Sequence, residues 1–298
     1  MAHRPVSQAH EFDLKVARAR IPRGFKRFFL GCLISLNIFL PATALQAANA
    51  VDHSAWDSFL KKYVNEKGEV NYQAVKADPA ALNEYFKNIL TVDGKVMSGW
   101  PREETLAFWL NVYHAALIKL VVENYPLTTV QKIPSFWDIA VVHLGPAALE
   151  KSSFSLNDIR MKNLLGVYRD EKIHLVLSLA AKGGPRLPRE AFTGPKVEGQ
   201  LFLLTRQFVK DPFFVEVVPG RKRIRISRLF KWYGQDFRLD FGIPEPIGKF
   251  SPSETAVISF LAHYLEDEAK GEYLQDAKYK IEYPAFDWSL NDWKPEVS

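Results

Sequence analysis

Leu106-Ala107-Phe108-Trp109-Leu110-Asn111-Val112-Tyr113-His114-Ala115-Ala116-Leu117-Ile118 is the stretch that decides the fold. It follows Trp100-Pro101 and predicts a helix running to about Tyr125. A helix apolar on nearly every side has no face to offer water, so it belongs at the centre of a core. Its 13 or so residues before Lys119 fall short of the ~20 that span a bilayer.

The flanking segments alternate helices and strands. Upstream, Ser54–Val64 reads as a helix with Trp56, Phe59, Leu60 and Tyr63 on one stripe and Ser54 as N-cap. Glu69–Tyr72 reads as a short strand. Asp78-Pro79 opens a helix to about Leu90. Downstream, Ile139–Leu144 is a strand candidate, and Ser155–Leu165 a helix capped by Ser155 with Asp158 in its first turn. Lys172–Leu179 is mostly apolar and reads as a buried strand. Ala180–Arg189 is a Gly/Pro loop, and Lys196–Val209 a helix. Phe213–Val218 and Arg223–Ser227 flank Pro219-Gly220 as a hairpin. Arg228–Phe237 and Ser253–Leu265 are helices, and Tyr279–Tyr283 is a last strand. The mixture predicts an α+β single domain, with the central helix packed on a mixed or antiparallel sheet.

Arg18 to Arg27 is basic, Phe28 to Leu40 is a 13-residue apolar run, and Ala42 to Ala50 is rich in small residues. That order reads as a secretory signal peptide over residues 1–50, cut near Ala50 or, as a close alternative, after Ala47; an uncleaved membrane anchor is the other reading, for which 13 apolar residues are short. The domain is then 51–298, with export to the periplasm or outside the cell and no stable membrane span after cleavage. Cys32, the only cysteine, lies inside the apolar run. The mature chain has no thiol to form a disulfide, attack a substrate or bind a metal.

The net charge of +5 is also a property of the leader. Residues 1–50 hold seven of the 39 basic and two of the 34 acidic residues, so the remainder carries 32 of each. A neutral body lacks the footprint of a nucleic-acid binder.

Several segments resemble one family, the "domain of unknown function 547" proteins. They are Gly68-Glu69-Val70-Asn71-Tyr72, then Phe108 to Ala115, then Ser155-Leu156-Asn157-Asp158-Ile159 and Ile173-His174-Leu175-Val176-Leu177. Ser227-Arg228-Leu229-Phe230-Lys231-Trp232-Tyr233-Gly234-Gln235-Asp236-Phe237 and Asp287-Trp288-Ser289-Leu290-Asn291 complete the set. The resemblance supplies no established activity. It implies Asn where this chain has His114 and Phe where it has Leu175. It also implies cysteines where this chain has Leu179 and Gly184. Thiol chemistry and a local disulfide both remain open as the role of those absent cysteines.

Candidate site residues follow. Asn111 and His114 share a face of the central helix. They are either aimed into a pocket or bonded to backbone in the core. His174 is the histidine of the motif. A nucleophile pair with Ser178 fails, because four residues of strand span ~13 Å and a base must lie within ~3 Å. Asn111, His174 and Asp287, one from each of three elements, have an order similar to papain-like and transglutaminase-like enzymes. In those enzymes the helix residue is the nucleophile, and an amide cannot attack. Asp287 is expected to hold the His174 ring at a pocket floor. Lys182, Gly183 and Arg186 form a glycine loop with two cations that could hold a phosphate or carboxylate. The alternative is a surface turn. Lys222, Arg223, Arg225 and Arg228 form a basic hairpin patch. The five histidines after residue 50 show no paired metal spacing, so no metal or cofactor is expected. The favoured function is a non-catalytic binding or interaction module for a small molecule, peptide or envelope component. The alternative is a hydrolase or transferase of peptide or amide bonds with His174 as general base.

Overall fold

The computed structural model describes residues 51–92, 94–145 and 153–295. The proposed leader and Cys32 lie outside them. The expected central helix is Arg102–Glu123, with Asn111, His114 and all the aromatic residues of the stretch buried. By length and composition it could cross a membrane, yet 89% of its most apolar window is buried inside the protein. It is therefore a core helix.

Helices surround it. Ser54–Tyr63, Tyr72–Ala77 and Ala80–Leu90 pack on one side, and Val197–Lys210 and the segment 156–168 on others. The segment 156–168 starts from a capping box between Ser155 and Asp158. It widens to π-helical turns over Ile159–Leu165 and ends where Arg169 adopts a left-handed φ of 53°. A second core gathers around Pro252–Leu265 with Phe230, Phe237 and the hairpin, and Trp137 and Trp288 pack against both cores. The described residues all fall in one compact unit.

Strands are few and short. β1 (Val142–His143) pairs antiparallel with β2 (Ser153–Phe154). β3 (Val215–Glu216) pairs antiparallel with β4 (Arg223–Ile226), which pairs parallel with β5 (Lys280–Glu282). The α+β class and the mixed sheet stand, but such small sheets cannot cover a 22-residue helix. Helices cover it instead.

Two expected strands are corrected. Glu69–Tyr72 reduces to bridges from Val70 to Val64 and Asp292, and Tyr72 starts a helix capped by the Asn71 side chain. Lys172–Leu179 is not a strand, because Ile173–Val176 is helical. The amides of Ile173, His174 and Leu175 bond the carbonyls of Asp170, Glu171 and Lys172 at 3.2, 3.1 and 2.9 Å. Asp170 starts this turn by accepting from the Lys172 amide. A short apolar run fits a buried strand and a buried helical turn equally well, and the local turn won.

Candidate functional site

The helical turn delivers His174 between two segments. Its ring is buried and stacks on Tyr233, with centroids 4.1 Å apart and an interplanar angle of 8°. Nε2 lies 2.7 Å from Oδ2 of Asp236. Nδ1 lies 3.3 Å from Nη2 of Arg160, whose guanidinium also sits 4.5 Å from the Tyr233 ring centre. A guanidinium only donates, so Nδ1 accepts and the ring proton sits on Nε2, pointing at Asp236. Burial lowers the His174 proton affinity, and the Arg160 charge adds to that against the pull of Asp236. The hydrogen bond from His174 in turn holds the Asp236 carboxyl below the usual carboxylate range. The pair is thus a neutral imidazole donating to a carboxylate, rather than an ion pair.

The expected partner Asp287 is elsewhere. Its Oδ1 accepts from the Ser289 amide at 2.9 Å, and hydrogen bonds from the Ser289 side chain and amide lower its proton affinity. Both nitrogens of His174 are already taken, so no valence remains for a second acid. With His174 on a helical turn, the strand layout of the papain-like comparison is absent as well. Neither ring nitrogen is open to accept a proton from a substrate.

Asn111 and His114 take the core reading. Asn111 Nδ2 donates to the Phe192 carbonyl at 2.8 Å, and its Oδ1 accepts from the Phe192 amide at 2.9 Å. This reproduces a strand-like pairing between the central helix and a loop. His114 Nε2 accepts from the Ser178 amide at 3.2 Å, and desolvation lowers its pKa to about 4. On the same helix the Tyr113 hydroxyl donates to the Ser178 carbonyl at 3.1 Å. These residues tether the His174 segment rather than line a pocket.

The glycine loop does not offer its amides to an anion. The amides of Lys182, Gly183 and Gly184 donate to the carbonyls of Ser289, Asp287 and Ala181. A Cβ at Gly183 would come within 2.7 Å of the Asp287 amide nitrogen, so glycine permits this close approach. Arg186 pairs with Asp211 and donates to the Lys67 carbonyl. The expected Lys182–Gly183–Arg186 anion site therefore lacks the free amides it was built on, and Arg186 is already paired. The three arginines of the basic hairpin patch are likewise partnered. Arg225 pairs with Glu216, Arg223 with Glu282, and Arg228 donates to the carbonyls of Tyr283 and Pro284. Among the described residues no three His, Cys, Asp or Glu side chains converge on a metal position.

Asp236 also lines a groove of about 870 Å³. One wall is the π-helical segment with Met161 and Leu165. The other is the 235–244 segment with Leu239 and Ile243, and Asp170 and Glu171 lie between them. Met161, Leu239 and Ile243 are 49%, 65% and 46% exposed, a concentration of apolar surface that water does not favour. Glu171 is only 2% exposed, and its Oε2 has no hydrogen-bond partner. Burial pushes its carboxyl up to about 7, with Asp170 and Asp240 adding to the rise.

Sequence reasoning missed Arg160, Glu171, Tyr233 and Asp236 as site residues. A signal existed for three of them. Tyr233 and Asp236 belong to the Ser227–Phe237 motif, and Arg160 directly follows Ser155–Ile159. Two motif segments therefore meet at His174, joined by the residue that follows a third. The two terminal segments also meet, where Tyr72 donates to Asn291 Oδ1 at 2.8 Å and the Val70 amide to the Asn291 carbonyl at 2.9 Å.

The arrangement defines an α+β protein with an Arg–His–Asp cluster, its histidine ring buried and its carboxylate half exposed, beside an apolar-walled groove. Residues 97–209, which include the central helix and His174, match the family described as "Protein of unknown function, DUF547". The chain is similar to that family over this stretch, and the Gly68–Tyr72, Ser227–Phe237 and Asp287–Asn291 segments lie outside the match. No curated protein and no solved structure matches the chain.

Positions 179 and 184 bear on the absent cysteines. A Cβ at Gly184 would stand 3.2 Å from that of Leu179, a few tenths of an ångström closer than the ~3.5–4.5 Å of a disulfide, so a small shift apart brings the pair into range. The double variant Leu179→Cys/Gly184→Cys is expected to crosslink in air and to be about 2 kcal/mol more stable oxidised than reduced. Thiol titration and paired denaturant melts check this. Two persistently free thiols would show that the positions cannot be stapled.

Proposed function

We propose that the protein is an exported, non-catalytic binding module of the cell envelope, and that its ligand site is the groove between the π-helical segment and residues 235–244. The observation that carries this reading is the groove itself. Its volume of about 870 Å³ is that of a small-molecule site, and its walls concentrate exposed apolar side chains. No serine, threonine, cysteine, lysine or histidine is among its lining residues, and the acids that do line it, Asp170, Glu171 and Asp236, are read here as ligand-binding groups. The Arg160–His174–Asp236 cluster acts here as a brace. It ties the π-helical wall to the opposite wall through one buried ring. The export half of the reading rests on the leader sequence and on the absence of cysteine after Cys32.

Only Met97 and Met161 of the three methionines lie beyond the leader, and Met97 is buried away from the groove lining. Carbon-13 methyl NMR therefore gives one reporter and one control. The form secreted by a Gram-negative host should start near Val51. On titration with hexan-1-ol its Met161 methyl signal should move while that of Met97 stays. Retention of residues 28–40 in membranes would overturn export, and a static Met161 signal would overturn the groove.

A further inference from the structure

We propose that the groove takes a ligand with a cationic nitrogen head, a primary ammonium or guanidinium, paired to Glu171, and an apolar body along Met161, Leu239 and Ile243. This rests on the groove reading above and adds the ligand's chemical class. Glu171 lines the groove while 2% exposed, and its Oε2 lacks any hydrogen-bond partner. A buried oxygen without a donor is a standing cost unless a donor arrives. The donor has to be charged if the carboxylate is to keep its own charge away from water.

The charges around Glu171 set the sign. On its own segment are Arg169, Asp170 and Lys172, and the ammonium of Lys172 is already held by Asp170 at 2.9 Å. From the facing segment come Asp236, Arg238 and Asp240, and Tyr264 approaches from the Pro252–Leu265 helix. Asp170 and Asp240 both oppose ionisation of Glu171. A cation brought to this point meets a carboxylate and two further acids. Arg169 and Arg238 would instead favour an anion, but both are exposed at the rim, where water and salt screen them. The desolvated group decides the preference. A divalent metal is not the occupant proposed, since no three ligating side chains converge among the described residues.

Burial holds the Glu171 carboxyl at about 7, so its ionised fraction rises about tenfold between pH 6 and pH 8. Burial holds His174 below its ordinary value and Tyr264 above its own, so both shifts run away from the middle of that window.

The test titrates the full secreted chain with hexylammonium, hexan-1-ol and hexanoate, following the Met161 methyl signal and binding heat. Hexylammonium should bind at least tenfold more tightly than hexan-1-ol at pH 8. Its affinity should rise up to about tenfold from pH 6 to pH 8, while that of hexan-1-ol stays constant. Glu171→Gln should remove both effects. The pH series on the wild type stands as a test even where that variant does not fold. Equal binding of hexylammonium and hexan-1-ol at Met161 would overturn the Glu171 pairing and leave the groove standing. A preference for hexanoate would also overturn it and assign recognition to the rim arginines. A static Met161 signal with all three would remove the groove reading and this inference together.

Discussion

Lowering the pH from 7 to 4 should cost the folded protein about 3 kcal/mol, and the Glu171→Gln variant about 6 kcal/mol. His53 and His114 are both buried, and desolvation lowers each pKa from 6.5 to about 4. The His53 ring is held by the Tyr85 hydroxyl at 2.8 Å, and His114 by the Ser178 amide. The folded state refuses protons that the unfolded chain accepts from pH 6.5 downward. Their stabilisation is therefore complete above about 6.5 and is lost as pH falls toward 4, by about 3 kcal/mol per histidine. His174 shifts in the same direction and adds to the loss. Glu171 has the opposite sign. Its folded pKa of about 7 lies above the ordinary 4.5, so the folded state binds its proton first and gains about 3 kcal/mol over the same descent. Denaturant melts at several pH values measure the slope. Parallel curves for wild type and Glu171→Gln would sink the assignment of Glu171, and a flat wild-type curve without any loss would sink that of the histidines.

Asn111→Leu should destabilise the protein by roughly 2–6 kcal/mol. The variant keeps the branched shape at Cγ, adds some bulk and removes both hydrogen bonds to Phe192. Phe192 is 1% exposed, so its amide and carbonyl are left without water as a substitute, at roughly 1–3 kcal/mol each. The loss should be localised first at the loop around Phe192, where hydrogen exchange of its amide should accelerate. Unchanged stability with protected exchange at Phe192 would show that the pairing does not hold the loop. The prediction separates a core role for Asn111 from the pocket role that the sequence also allowed.

The legible features of the sequence were those carried by local pattern. The central helix was readable because an all-round apolar stretch has one stable solution, burial. The Ser155–Asp158 cap was readable because both partners lie within one turn, and the Pro219-Gly220 hairpin because its strands are contiguous. The α+β class followed from these. Lys172–Leu179 was read wrongly because its apolar residues fit a strand and a helical turn alike. What settled it was the Asp170 side chain closing the turn.

The candidate site divides in the same way. The sequence by itself marked His174, the motif segments and the apolar character of the chain. It could not say that Asp236 rather than Asp287 would hold the ring. Both acids sit in motif segments and have the same chemistry, and they lie 62 and 113 positions from His174. Only tertiary packing decides which carboxylate meets a buried imidazole. The same holds for Glu171. In sequence it is one acid in Asp170-Glu171-Lys172, as ordinary as any solvated charge. Its perturbed proton affinity and its unpartnered oxygen arise from the walls that 159–165 and 235–244 close around it, because desolvation is a property of the surroundings and not of the residue.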